Sequence, residues 1–298
     1  MRTGITTEEL SYLYPDEKKA IQKYAEIGFD ALDYSYDMYA YPGSVYTKED
    51  YLEHAKMIKE TADKNHIVIN QLHAPLYHHR VDKEMTEREK KEEEFLKNMT
   101  FRSFEVAQVL DCHYIVMHPR KYQHYKTYEE HLALRKYNIQ MLKEFIPYAK
   151  KYHVQIALEN MFVFDAKTHS ATDTALRTAE EIVSYIEELG EEYFVACLDT
   201  GHANINGIDP SLMVKVLGRH LKVLHVNDNF THMDQHLVCG LGTIDWDIFV
   251  KALQEISFDG VFSLETNGMV MNLDAEACED CVRFEYQVIK KLLKKFGE

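Results

Sequence analysis

The stretch Phe194-Val-Ala-Cys-Leu-Asp-Thr-Gly-His-Ala-Asn204 decides the fold. Up to Leu198 it is apolar without alternation, as expected of a parallel strand covered on both faces. It then ends in Asp199, turns at Gly201 and places His202 three positions after the acid. One acid and one His at a strand exit are ordinarily a hydrogen-bonded structural pair. Their weight depends on whether the arrangement recurs.

It does recur. Short β-branched or aromatic runs read as strands at 3–6, 29–35, 66–73, 114–118, 155–159, 194–199, 223–227 and 261–265. Longer segments with helix signals lie between them. Thr178-Ala-Glu-Glu181 is a capping-box pattern, and Gly190 is placed to end that helix. Asp209-Pro210 and Asp245-Trp246 open two more. The run 83–110 is charge-rich and helix-favouring, and reads as a solvated helix face. Eight strand–helix units in 298 residues predict an α/β fold: a closed (β/α)8 TIM barrel, one domain over residues 1–298. A doubly wound open sheet would call for a Gly-rich phosphate turn after an early strand, and the sequence has none.

The strand ends carry the chemistry. Strand three ends in Gln71-Leu-His73, strand four in Met117-His118-Pro119, and strand five in Leu158-Glu159-Asn160. Strand six ends in Asp199 with His202 beyond it, strand seven carries His225 with Asn227-Asp228, and strand eight stops at Glu265. In a barrel these ends meet on one face, where active sites of this fold lie. Glu, Asp and His are oxygen and nitrogen ligands for Mn²⁺, Zn²⁺, Co²⁺ or Mg²⁺. Crowded carboxylates without a cation repel, and some are forced to protonate. A divalent metal or acid/base site is therefore the expectation. The loop after strand seven adds Asp234-Gln-His236 and then Gly240-Leu-Gly242-Thr-Ile-Asp-Trp246. The Asp-x-His pair could reach back to the same mouth, and the glycines read most simply as a turn.

Composition narrows the function classes. The chain is 46% hydrophobic with a net charge of −15, which suits a folded soluble protein and disfavours nucleic acid as a partner. The sequence has no long apolar run, so no membrane span is expected. The start lacks an apolar signal core, and five Cys fit a reduced, cytoplasmic chain. No P-loop or Gly-x-Ser-x-Gly occurs, which leaves NTPase and serine-hydrolase readings without support.

As an ordered set, Glu159-Asn, Asp199-x-Gly-His202, His225-x-Asn-Asp, Asp234-x-His236 with the following Gly-x-Gly-x-Ile-Asp-Trp, and Glu265 resemble the xylose-isomerase-like TIM-barrel superfamily. That group holds sugar and sugar-phosphate isomerases and epimerases, inosose-processing enzymes and the endonuclease IV type of nuclease. The resemblance implies a metal-dependent isomerase or epimerase of a small sugar, sugar phosphate or cyclitol. Glu159, Asp199, His225 and Glu265 would hold one divalent cation, with Glu159 and Glu265 also the catalytic acid and base. His73, His118 and His202 would bind substrate. Apart from the resemblance, Arg120-Lys121, just after His118-Pro119, reads either as a contact for a substrate phosphate or as plain surface. The nuclease branch implies three zinc ions, with His73, His118, His202, Asp234 and His236 as further ligands, and cleavage of abasic DNA. An inosose-type dehydratase is the third reading. Where ketose 3-epimerases carry an Arg after strand seven, this chain has Thr231 and His232. Members of the group often pair up, so a homo-oligomer is implied.

Two further segments are open to function. Cys278-Glu-Asp-Cys281 has CxxC spacing but no partner pair, and reads as packed thiols on the last helix. The tyrosine-rich 34–41 segment either walls a sugar pocket or is plain surface loop.

Overall fold

The computed structural model describes residues 1–11, 13–120, 127–165 and 167–295. Eight parallel strands form the barrel: β1 (Arg2–Thr6), β2 (Ala31–Tyr34), β3 (Val68–His73), β4 (Tyr114–Met117), β5 (Gln155–Glu159), β6 (Phe194–Asp199), β7 (Leu221–His225) and β8 (Val261–Leu264). From β1 to β7 each strand pairs with the next in sequence, and β8 pairs back to β1. The ring closes between β7 and β8. Val226 N–H donates to Ser263 O at 2.8 Å, and Glu265 N–H to Val226 O at 3.1 Å. This is the expected TIM barrel.

The β5 and β6 bounds match the sequence reading residue for residue. β7 lies two residues earlier than expected, because Val226 leaves the β6 ladder to bridge Leu264. Side-chain parity explains why the strands look uniformly apolar. On β5, Ile156 and Leu158 face the outer helix layer, while Ala157 joins Val116, Val195, Cys197 and Val223 in a separate cluster inside the barrel. Continuing that inward parity by one step gives Glu159 on β5, Asp199 on β6 and His225 on β7. The site residues are the top layer of the barrel's own interior.

Helix ends follow the cap signals. Thr86 and Glu89 form a reciprocal capping box, so the charged run becomes the helix Glu87–Leu110. Thr178 caps the helix Ala179–Leu189, but the Glu181 carboxylate accepts from Arg177 N–H rather than from the cap itself. Cys278 and Cys281 lie on the last helix, Ala275–Lys294, as free thiols directed at backbone oxygens. No helix among the described residues is long and apolar enough to cross a membrane.

One buried acid braces the barrel top. Glu9, in the short helix after β1, is fully buried. Its carboxyl accepts from Thr6 Oγ1 at 2.6 Å and from Thr266 N–H at 2.9 Å, tying β1 to the residue after Glu265. Burial pushes its pKa from 4.5 up to about 8, against the two hydrogen bonds. A raised acid favours the folded state while protonated, so its contribution is full below pH 4.5 and is lost as pH rises through 8. The slope is about 1.4 kcal/mol per pH unit for one proton. Glu9→Gln should therefore gain stability relative to the parent as pH rises from 5 to 8. Denaturant melts across that range check it, and parallel curves for the two proteins would refute it.

Candidate metal and acid/base site

The Asp199-Thr-Gly-His202 motif folds as a cap. Asp199 ends β6 and caps the helical turn Thr200–Ile205, its Oδ1 accepting His202 N–H at 2.6 Å. Its Oδ2 accepts from Asn227 Nδ2 at 2.9 Å. Asn160, beside Glu159, clamps β5 to β6: its Oδ1 accepts from Asp199 N–H at 2.7 Å, and its Nδ2 donates to Asp199 O at 2.8 Å. Gly201 is required by close approach. A Cβ there would run into the Asn227 side-chain oxygen. Gly201→Ala should displace the amide that orients Asp199 and cost about 1–3 kcal/mol by overpacking. A thermal melt beside a metal titration checks this, with both stability and metal affinity expected to fall.

Glu159, Asp199, His225 and Glu265 form one compact group, with one ligand atom from each lying within 4.8 Å of the others. Three are buried and Glu265 is partly so. His225 Nδ1 lies 3.3 Å from Glu159 Oε1 and 3.3 Å from Glu265 Oε2. It makes no hydrogen bond, and neither does Glu265 Oε2. The other ring nitrogen, Nε2, donates to Asp33 Oδ2 at 2.9 Å. Gln71 Nε2 donates to the same oxygen at 2.8 Å and to Leu224 O at 3.2 Å. A carboxylate on one imidazole nitrogen fixes the tautomer and turns the other lone pair outward, the arrangement of metal-binding histidines. Orphaned buried atoms facing one another, from two glutamates, an aspartate and a histidine, fit a hard-to-borderline divalent cation.

The other residues singled out in the sequence ring this group. His118 Nε2 lies 2.9 Å from Glu159 Oε2, and His73 Nε2 lies 3.2 Å from His118 Nε2. His73, Glu159 and His225 make a second compact ligand group. Asp234 sits between two imidazoles, its Oδ2 3.0 Å from His236 Nε2 and 3.5 Å from His202 Nε2. His202 Nδ1 donates to Asn160 O at 2.8 Å, and His236 Nδ1 to Glu265 O at 2.9 Å. His236 holds a positive φ of 46°, backbone strain of the kind that gathers at functional sites.

The carboxyls are pushed apart. Burial opposes ionisation of Glu159, but the His225 and His118 imidazoles outweigh it and hold the pKa well below the usual range. Burial lifts Glu265 to about 8; His225 and His236 act against that, and Asp199 and Glu159 add to it. Burial lowers His73 and His202, but neighbouring carboxylates raise them to about 9 and 10. Paired carboxyls with opposite shifts mark acid and base roles.

Several parts were not legible beforehand. Arg120, read as a phosphate contact, is buried away from the mouth. It pairs with Glu93 and lies 3.9 Å over the Tyr77 ring. Lys121 lies outside the described residues. In the 34–41 segment, Tyr34 and Tyr36 pack into the core with Tyr46, and the residues between the tyrosines, Ser35 and Asp37, line the cavity. The Gly240/Gly242 loop is a turn organised by Asp228. One of its carboxylate oxygens accepts from Gly240 N–H and Trp246 Nε1, the other from Thr243 and Ile244 N–H. Asp33 and Gln71 were missed as supports of His225. Their sequence signal is polarity within a strand, at Asp33 in the short Ala31–Tyr34 and at Gln71 beside Asn70 and His73 in Val68–His73.

A family model described as xylose isomerase-like TIM barrel matches residues 21–283. The chain belongs to that family. Among its relatives, D-psicose 3-epimerase of Enterocloster bolteae is 24% identical over 260 residues, 85% of this chain and 77% of that protein. Uncharacterized protein MJ1311 of Methanocaldococcus jannaschii is 27% identical over 56% of this chain, which spans about half (55%) of that relative's length. Inosose isomerase of Bacillus subtilis is 25% identical, covering 54% of this chain and 56% of its own. Of solved structures, the IOLI protein with a binding zinc atom superposes with TM-score 0.73 at 18% identity, with all of both chains covered. A D-tagatose 3-epimerase-like protein superposes with TM-score 0.70 at 23% identity, covering 98% of this chain and 100% of its own.

Proposed function

We propose that this member of the family is a divalent-metal-dependent isomerase or epimerase of a small sugar, sugar phosphate or cyclitol, working by proton transfer next to a carbonyl. The observation that carries the reading is His225 Nδ1, turned by the Nε2–Asp33 hydrogen bond towards Glu159 and Glu265 and making no hydrogen bond of its own. Glu159, Asp199, His225 and Glu265 would hold the cation. Bound there, it would polarise a substrate's carbonyl and hydroxyl oxygens and acidify the C–H between them. Glu159, buried at the end of β5 beside the cation site, would take that proton. Glu265, across the compact group from Glu159, would return one to the other face of the carbon. His202, with Nδ1 committed to Asn160 O, turns Nε2 into the cavity 3.5 Å from Asp234 Oδ2, where a substrate oxygen would share it. Epimerase and isomerase names among the relatives support the reaction class.

The test is incorporation of solvent deuterium into ketohexoses and inososes by Mn²⁺-loaded protein. Exchange at the carbon next to the carbonyl supports the reading, and none across the panel defeats it. The second reading, a three-zinc phosphodiesterase, draws on His73, His118, His202, Asp234 and His236 lining the same cavity. Two to three zinc ions per chain with cleavage of abasic DNA would establish it instead.

A further inference from the structure

The cavity at the barrel mouth has a volume of about 330 Å³, and on one side only Asp33 Oδ2, which orients His225, serves the proposed chemistry. That side comes from the ends of β1 and β2 and the loop after β8, and presents Thr6, Glu8, Asp33, Ser35, Asp37 and Asn267. Three of the six are acids. Asp33 is 1% exposed; its Oδ2 is occupied by His225 and Gln71, but its Oδ1 has no hydrogen-bond partner. Glu8 is oriented by Asn267, whose Nδ2 donates to its Oε2 at 2.9 Å. No Lys or Arg lines the cavity among the described residues. Arg120, the nearest base in sequence to a mouth residue, is committed to Glu93 and Tyr77. The four imidazoles lining the cavity already face carboxylates, His73 and His118 on Glu159 and His202 and His236 on Asp234.

We infer that this side is a hydroxyl-binding subsite: Asp33 Oδ1, Asp37 and Glu8 accept hydrogen bonds from the far end of an unphosphorylated polyol, and their charge shuts out phosphate esters. The inference rests on the sugar-isomerase reading and narrows its substrate class. Ionised carboxylates are acceptors only, and each can take two hydroxyl donors. A phosphate group there would bring only acceptors and more negative charge, with no Lys or Arg among the described residues to receive it. A buried acceptor without a partner also discriminates strongly, because a ligand lacking the matching donor leaves it unsatisfied.

The test is titration calorimetry of Mn²⁺-loaded protein with free ketohexoses and their 6-phosphates, beside the Asp37→Asn and Glu8→Gln variants. The free ketose should bind at least tenfold more tightly than its ester. Either variant should narrow that ratio, weakening the free ketose and strengthening the ester. An ester that binds as tightly as the free sugar, a ratio unmoved in both variants, or binding of neither class would overturn the inference. Solvent-deuterium exchange on the same samples separates the two claims. Selective binding of free ketoses without exchange would sink the isomerase reading and leave the subsite standing.

Discussion

Glu265→Gln should keep the fold and lose the chemistry. Glu265 sits one residue past β8, its backbone N–H bonded to Val226 O and its carbonyl to His236 Nδ1, so the main chain stays anchored whichever side chain is present. The amide is near-isosteric but cannot donate and retake a proton as the acid does. It also replaces one anionic oxygen of the compact four-residue group. Loss of a positioned acid or base typically costs about 10²–10⁴-fold in rate. Deuterium incorporation should fall by at least about a hundredfold, with the melting curve close to the parent's. Because burial holds the parent carboxyl up near 8, the parent's metal affinity should also decline as pH falls below that value, protons competing for the same oxygen. A variant that exchanges at the parent's rate would remove Glu265 from the mechanism.

The second large effect is expected at a residue that need not touch the cation. Asp33→Ala removes the carboxylate that fixes the His225 tautomer, leaving Gln71 Nε2 with only Leu224 O as acceptor. Second-sphere losses of this kind usually weaken metal binding by about 10–100-fold. Asp33→Asn should fall between the parent and Asp33→Ala, since a neutral amide oxygen in place of Oδ2 is a weaker acceptor for the imidazole and Gln71 than the carboxylate. Competition of each variant with a chelator for Mn²⁺ measures it. Unchanged affinity in Asp33→Ala would show that the imidazole is held by packing alone.

Much of this arrangement can be read in the sequence because a parallel barrel writes itself plainly. β5 and β6 are bounded by their apolar runs, and the inward parity that buries Ala157 and Cys197 is the parity that delivers Glu159 and Asp199. The polar residue ending each run is thus a local signal of a site assembled from distant segments. What was not legible depends on partners far along the chain. Asp33 is one polar residue in a short strand, and only closure of the barrel brings it to His225, 192 positions later. Arg120 follows His118-Pro119 and looks aimed at the mouth, but Glu93 on a preceding helix and the Tyr77 ring draw it elsewhere. The tyrosines of 34–41 follow the same rule, because their side depends on the helix layer behind β2, which the segment itself does not reveal.

The central claim is that Glu159, Asp199, His225 and Glu265 hold a single divalent cation. The most direct measurement is metal content per chain by elemental analysis, on protein purified without chelator or metal-binding tag, beside Glu265→Gln. About one Mn, Co, Mg or Zn per chain, lost in the variant, is the predicted result. No bound metal, or metal retained in full by the variant, would contradict the account.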